Sequence, residues 1–545
     1  MSTTLFTYAQ KRYIAEQYTD SEIEVVSDVK FATNIDFLTS SFTDQAQTIA
    51  DLTAIKTALF LGQPIPATHY NPADAGSKVK VTDLKMDIYK PKTSADATTD
   101  RPVVVFIHTG NFLPPPINGS PSGLKTDSSA IVLCQSWAKR GYVAVSIDYR
   151  LGWNPLATSV FERRGQLLNA VYRAIHDTKQ AVRYVKDNAT MYGIDANKVL
   201  LYGEGSGAYV ALAYETLDKY PDMELPKFLN PLTSKSFIDT ATVGLIDGSG
   251  GLLNLYAKSS TSTEIRAVIT AGGALADTSW LEAGDAPMIA FQCIRDPFAP
   301  FNEGVVVVPT TNEDVVEVQG ANLYIKKANE LGNNDAIKDM KDETPYTAIA
   351  RSRYGKTYDY IYTAPLDKMT VNEEVEGLFP IIRPLGASLL QNQAGPWQWW
   401  DPNSPLATAQ VAPGVTAHMA SLQSNPTMSP AQGRAYIDTI MGYMCPRVAV
   451  ILGYYEVDAL SASNVNKIPG TLMPNPAVNN ATLAFANDVR INSVVITNVT
   501  GVIVYQNADF NSNTAEINLT DFSSGYYFIQ AETSKGNWAG KLIKE

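Results

Sequence analysis

Val199-Leu-Leu-Tyr-Gly-Glu-Gly-Ser-Gly-Ala208 is the stretch that decides the fold of this 545-residue chain. Its first four residues are apolar and read as a short strand buried on both faces. Gly203, Gly205 and Gly207 then fall at alternate positions. From residue 207 to 217 the pattern is that of a helix. Small residues at that spacing let a strand turn sharply into a helix, because no Cβ blocks the approach of the two elements.

The same alternation extends to either side. Residues 79–89 alternate as a strand, and Val103-Val-Val-Phe-Ile107 is a solid apolar run. Residues 128–139 read as a helix, and 142–148 as a second buried strand. A long amphipathic helix over 166–188 carries Leu168, Val171, Ile175, Ala181, Val182 and Val185 on roughly one stripe. Residues 265–271 and 287–292 supply two more strands. Strands alternating with helices imply a mostly parallel sheet covered on both faces, an α/β domain over about 78–457. Residues 1–77 read as a polar extension packed on it, with β alternation at 23–31 and a helix near 50–61. Later come a helix over 321–331, an insertion of loops at about 340–430, a helix over 429–444 and a final strand at 447–454. Residues 458–471 read as a linker. Residues 472–545 differ in kind: short strands recur at the spacing of a small all-β sandwich.

Composition sets outer limits. The chain is 45% hydrophobic and 18% charged, as in ordinary globular proteins. A net charge of -12 disfavours nucleic acid as a partner. The three cysteines, Cys134, Cys293 and Cys445, form no framework and read as small buried side chains. No spacing suggests a metal site or a nucleotide or other cofactor. No apolar stretch is long enough to span a membrane, and the first residues lack the pattern of a signal peptide.

Four motifs stand in order: Leu84-Lys-Met-Asp-Ile-Tyr-Lys-Pro91, Phe106-Ile-His-Thr-Gly110, Arg140-Gly-Tyr-Val-Ala-Val-Ser-Ile-Asp-Tyr-Arg-Leu151, and the glycine-rich turn. Together they resemble the carboxylesterase branch of the α/β hydrolases over about residues 78–300. The resemblance implies an α/β-hydrolase fold with a Ser-Asp-His triad whose serine sits on the turn, flanked two residues away by small residues. In that register Gly205 stands where the nucleophile belongs, and glycine cannot attack an acyl carbon. Ser206 is the alternative nucleophile, but Glu204 would then occupy a position that must be small. His108, Thr109 and Gly110 correspond to the turn whose backbone N–H groups face an oxyanion, with Thr109 in place of a glycine. Asp296, after the strand over 287–292, corresponds to the acid. Of four histidines only His418 follows Asp296, as the triad order requires, and it lies beyond the insertion. The place expected for a histidine, 332–338, has none. Trp397, Trp399 and Trp400 either stack on a ligand or pin the insertion to the body.

The tail carries a second resemblance. Pro474-Asn-Pro476, Gly525-Tyr-Tyr-Phe528 and Lys541-Leu-Ile-Lys544 resemble the C-terminal sorting domain of the type IX secretion system of Bacteroidota. That implies contact with the type IX machinery through residues 472–545, export to the cell surface or beyond, and a leader removed before the present numbering. The sequence-level expectation is a secreted hydrolase-fold protein without catalysis, acting as a binding or structural surface component. The alternatives are an active serine carboxylesterase using Ser206, Asp296 and His418, and a subunit of an extracellular homo- or hetero-assembly.

Overall fold

The computed structural model describes residues 12–307, 314–340, 344–360, 367–373, 375–383, 393–455, 468–498, 503–508 and 510–545. They fall into two compact units, one ending at residue 455 and the other spanning 468–545.

The first unit is built on eight strands: β1 (Ile23–Ile35), β2 (Val81–Pro91), β3 (Arg101–Ile107), β4 (Val143–Ile147), β5 (Ile194–Glu204), β6 (Ala267–Ala271), β7 (Met288–Cys293) and β8 (Leu378–Ile381). Their order across the sheet is β1-β2-β4-β3-β5-β6-β7-β8. β1 and β2 are antiparallel to each other and β2 to β4; every later pair is parallel. Every residue of β3, β4, β6 and β7 is buried, as their unbroken apolar runs require when helices cover both faces. The principal helices are α1 (Gln45–Phe60), α2 (Ser128–Lys139), α3 (Val160–Asp187), α4 (Ser206–Thr216), α5 (Ala321–Glu330) and α6 (Pro430–Ile451). This is the α/β-hydrolase architecture.

Two elements differ from the sequence reading. The strand expected at 447–454 is the end of α6, which runs through Pro446 to Ile451. An apolar run of that length suits a buried helix as well as a strand, and an internal proline argues against helix. The last strand of the sheet is instead β8, inside the stretch read as an insertion. It has four residues and contains Pro380, tolerated because β8 is an edge strand. The linker expected at 458–471 lies largely outside the described residues. The three cysteines are free and buried.

The second unit has two sheets. One is β9 (Gly470–Met473), β10 (Asn480–Phe485) and β13 (Thr514–Asn518); the other is β12 (Ile503–Asn507), β11 (Ile491–Asn498), β14 (Gly525–Thr533) and β15 (Gly536–Lys544). Alternate residues, among them Leu483, Val494, Ile496, Ile517, Ile529 and Leu542, form its own core. Among the described residues no helix is long and apolar enough to cross a membrane.

Candidate active site

β5 ends at Glu204 and α4 begins at Ser206, so Gly205 makes the reversal at φ +54° and ψ -118°. A side chain there would be strained. A Cβ on Gly203 would collide with the carbonyl of Gly207, and one on Gly207 with that of Ile107. The two flanking glycines are therefore required by close approach, as the spacing suggested. The Gly205 N–H donates to the carbonyl of Ala271 at the end of β6, 2.9 Å away. This holds the apex of the turn at the carboxyl edge of the sheet, where ligands bind in open α/β folds. It is also where a G-x-S-x-G enzyme presents its serine.

The space over the apex is filled. A Cβ on Gly205 would collide with Thr109 Oγ1 and stand 2.9 Å from Thr109 Cβ. Thr109 belongs to the tight turn after β3, in which Gly110, Asn111 and Phe112 all have positive φ. Trp153 Nε1 donates to the carbonyl of Asn111 at 2.8 Å, and the Gly152 N–H to that of Phe112 at 2.8 Å. The turn is thus tied to the segment after β4.

Ser206 is buried at the start of α4. Its Oγ accepts the Asn111 N–H at 3.1 Å and lies 3.4 Å from the Tyr149 hydroxyl. One backbone donor of the turn, the Asn111 N–H, is thereby satisfied from within the protein. Among the described residues no histidine is hydrogen-bonded to Ser206. His108 is buried and stacked on Tyr149 at 4.4 Å between ring centres. Its Nδ1–H donates to the Thr109 carbonyl at 2.6 Å. Burial pushes its pKa down to about 4, so the ring is neutral at physiological pH.

Asp296 follows β7 and is buried. Its Oδ1 accepts the N–H groups of Phe298 and Ala299 at 2.8 and 3.1 Å. Burial raises its pKa to about 7, against the opposing pull of those two bonds. A methyl group on Gly272 would stand 3.2 Å from Asp296 Oδ2 and 3.7 Å from the ring of Trp397. Acid and indole therefore face the same spot beside the end of β6. No hydrogen bond links Asp296 to His418. His418, in the short helix Ala417–Ser421, accepts through Nδ1 from Trp400 Nε1 at 3.1 Å.

Beyond β8, the described residues Trp397 and Gln398 stand at the carboxyl edge, beside Gly272 and Glu204. The place expected for a histidine, 332–338, instead contains the short helix Asp335–Lys338, before the chain reaches β8. The segment 382–398 contains no histidine; it brings Trp397 and Gln398. Gln398 Nε2 donates to the carboxyl of Glu204, which is buried and also faced by Trp397 and Ser129. Burial raises the pKa of Glu204, and these donors oppose the shift. Asp127, nearby, is pushed up to about 7, first by burial. Trp399 lies against Gly433 of α6 and under Arg434, 5.4 Å from the ring centre. All three tryptophans are buried. The part played by Gln398 had no signal in the sequence, because it depends on a contact with Glu204, distant in the chain.

Residues 86–304 match the BD-FAE family, and residues 471–545 match the Secretion system C-terminal sorting domain. The first match is to an esterase-like α/β-hydrolase domain and the second to a type IX sorting domain. The sorting-domain match marks a secreted or surface protein. The neuroligin-like protein glit-1 of Caenorhabditis elegans is 31% identical over 125 residues, 23% of this chain and 15% of that protein. Secreted lipase 5 of Gibberella zeae is 28% identical over 138 residues, 24% of each chain. This chain thus spans no more than 24% of the length of either relative. The solved structure of Thermogutta terrifontis esterase 2 phosphonylated by cyclosarin is 22% identical, with a TM-score of 0.29, covering 46% of this chain and 75% of its own.

Proposed function

We propose that this protein is an α/β hydrolase whose catalytic centre has been filled, and that it serves outside the cell as a binding or structural component. The observation that carries this reading is Thr109, whose side chain occupies the space a nucleophile side chain would need at Gly205. Three further features support it. Ser206 satisfies the turn's own N–H donor. Asp296 has only backbone partners. The segment leaving β8 offers an indole where acyl-transfer chemistry needs an imidazole. Nucleophile and base act as a unit, so loss of both removes nearly all the catalytic benefit.

The test is hydrolysis of short p-nitrophenyl esters by the folded protein. The reading expects no turnover above that of Asp296→Ala; turnover that vanishes in Asp296→Ala would overturn it. The assembly form of the reading rests on α1 and the residue after it, which expose Ile49 (53%), Phe60 (89%) and Leu61 (60%). Light scattering distinguishes a self-assembling subunit from a monomeric binder.

A further inference from the structure

The C-terminal half of α3 is rich in buried cations. Arg173, Lys179 and Arg183 on this helix, with Arg150 beside it, are buried; Asp177 faces Arg150 and Arg173, while Lys179 is faced by Asp247, Glu215 and Asp218. Asp177 is already engaged by Arg150 Nε at 2.9 Å and the Tyr256 hydroxyl at 2.7 Å. Lys179 and Arg183 reach only backbone carbonyls, those of Ile246 at 2.8 Å and Asp247 at 2.7 Å. Among the described residues, Nε and Nη1 of Arg183 and Nη1 and Nη2 of Arg150 have no hydrogen-bond partner. Burial, reinforced by the charges of Arg150, Lys179 and Arg183, drives the His176 pKa far down. Burial, with Arg183 near, lowers that of Lys179 to about 8. Buried cations without counter-charge are costly, and an anion that reached them would relieve that cost.

A cavity of about 320 Å³ opens beside this cluster. Arg183, Gln180 and Asp187 of α3 line it, together with Thr33 of β1, Tyr256 and Lys258. Lys258 is exposed, and among the described residues neither its ammonium nor the Gln180 amide has a hydrogen bond or ion pair. Two carboxylates temper the field. Asp187 accepts from Thr261 at 2.7 Å, and Asp247 is held below the usual carboxylate range despite partial burial, by Ser249 and then by Arg183 and Lys258. Among the lining residues Arg183 and Lys258 stand against the single carboxylate of Asp187. The Lys258 ammonium and Gln180 amide, beside the Arg183 guanidinium, are the kind of donors that a small anionic ligand in a cavity of that size needs.

We propose that this cavity, which shares no residue with the turn at Gly205, binds the oxyanion of a small organic ligand, a carboxylate or a phosphate group, with Lys258, Gln180 and Arg183 as its receiving groups. The experiment is a thermal-unfolding titration of the full chain at constant ionic strength, with inorganic phosphate, with acetate and with chloride alone. Saturable stabilisation by phosphate or acetate, absent with chloride, is expected, and the effective anion identifies which oxyanion is recognised. Lys258→Ala, an exposed change that leaves the core intact, should weaken the apparent affinity about fivefold or more, and Arg183→Gln should abolish saturation. A shift reproduced by chloride, a shift equal in the parent and Lys258→Ala, or no shift at all would overturn the proposal.

Discussion

Replacing Gly205 by serine should damage the fold without restoring chemistry. The new Cβ would stand 2.9 Å from Thr109 Cβ and collide with Thr109 Oγ1, at a backbone φ of +54°. The left-handed conformation costs a non-glycine residue about 1–2 kcal/mol. Overpacking costs about 1–3 kcal/mol more. Gly205→Ser is therefore expected to lose about 2–5 kcal/mol of stability. Only the overpacking part depends on Thr109. In Thr109→Gly/Gly205→Ser the penalty of the serine should shrink, giving a favourable coupling of about 1–3 kcal/mol. Urea denaturation of the parent, both single variants and the double variant measures the coupling directly. A Gly205→Ser variant as stable as the parent, or zero coupling with Thr109→Gly, would refute the claim that Thr109 fills the nucleophile's space. Neither serine variant should hydrolyse p-nitrophenyl acetate, because His108 is committed to the Thr109 carbonyl and His418 to Trp400. Recovered turnover would show that a base has been overlooked.

Ser206→Ala should cost about 1–3 kcal/mol, since it strips the acceptor from the Asn111 N–H; denaturation would show it, with no accompanying loss of any hydrolytic signal. Trp397→Ala should cost about 3–5 kcal/mol, as expected for a fully buried indole, and melting curves check it. The Asp296 pKa is raised to about 7 in the folded state, above its ordinary value. The native protein then holds more protons than the unfolded chain between about 4 and 7, so stability is greatest below that window and falls as pH rises through 7. Asp296→Asn keeps the acceptor for Phe298 and Ala299, removes this ionisation, and should flatten the decline in melting temperature between pH 5 and pH 8. Leu542→Asp places a carboxylate in the core of the tail and should leave the protein inside the cell, as fractionation of producing cells would reveal.

The fold was legible where one signal dominated. Residues 199–202 are apolar without interruption and could only be a buried strand, and the alternating glycines after them fixed the turn at Gly205. β8 escaped notice because four residues containing Pro380 carry neither alternation nor a long apolar run. Missing β8 also misplaced the search for a histidine, since its absence matters in the segment that leaves that strand. At 447–451 the apolar run matched a strand and a buried helix equally, and the helix runs on through Pro446 to Ile451. Thr109 was recognisable as an oddity where the related turn has a glycine. Its meaning depends on contact with a residue distant in sequence, and no local pattern encodes such a contact. The tryptophans illustrate the same limit. Their identity suggested stacking on a ligand or pinning a loop, and burial against Gly272, Gly433 and His418 belongs to the second.

The most direct test of a filled catalytic centre is covalent labelling of the folded protein by a fluorophosphonate, read by intact mass. The account predicts no adduct, because Ser206 Oγ is buried, bonded to the Asn111 N–H and without a histidine to activate it. A stoichiometric adduct on Ser206, lost on unfolding, would contradict it.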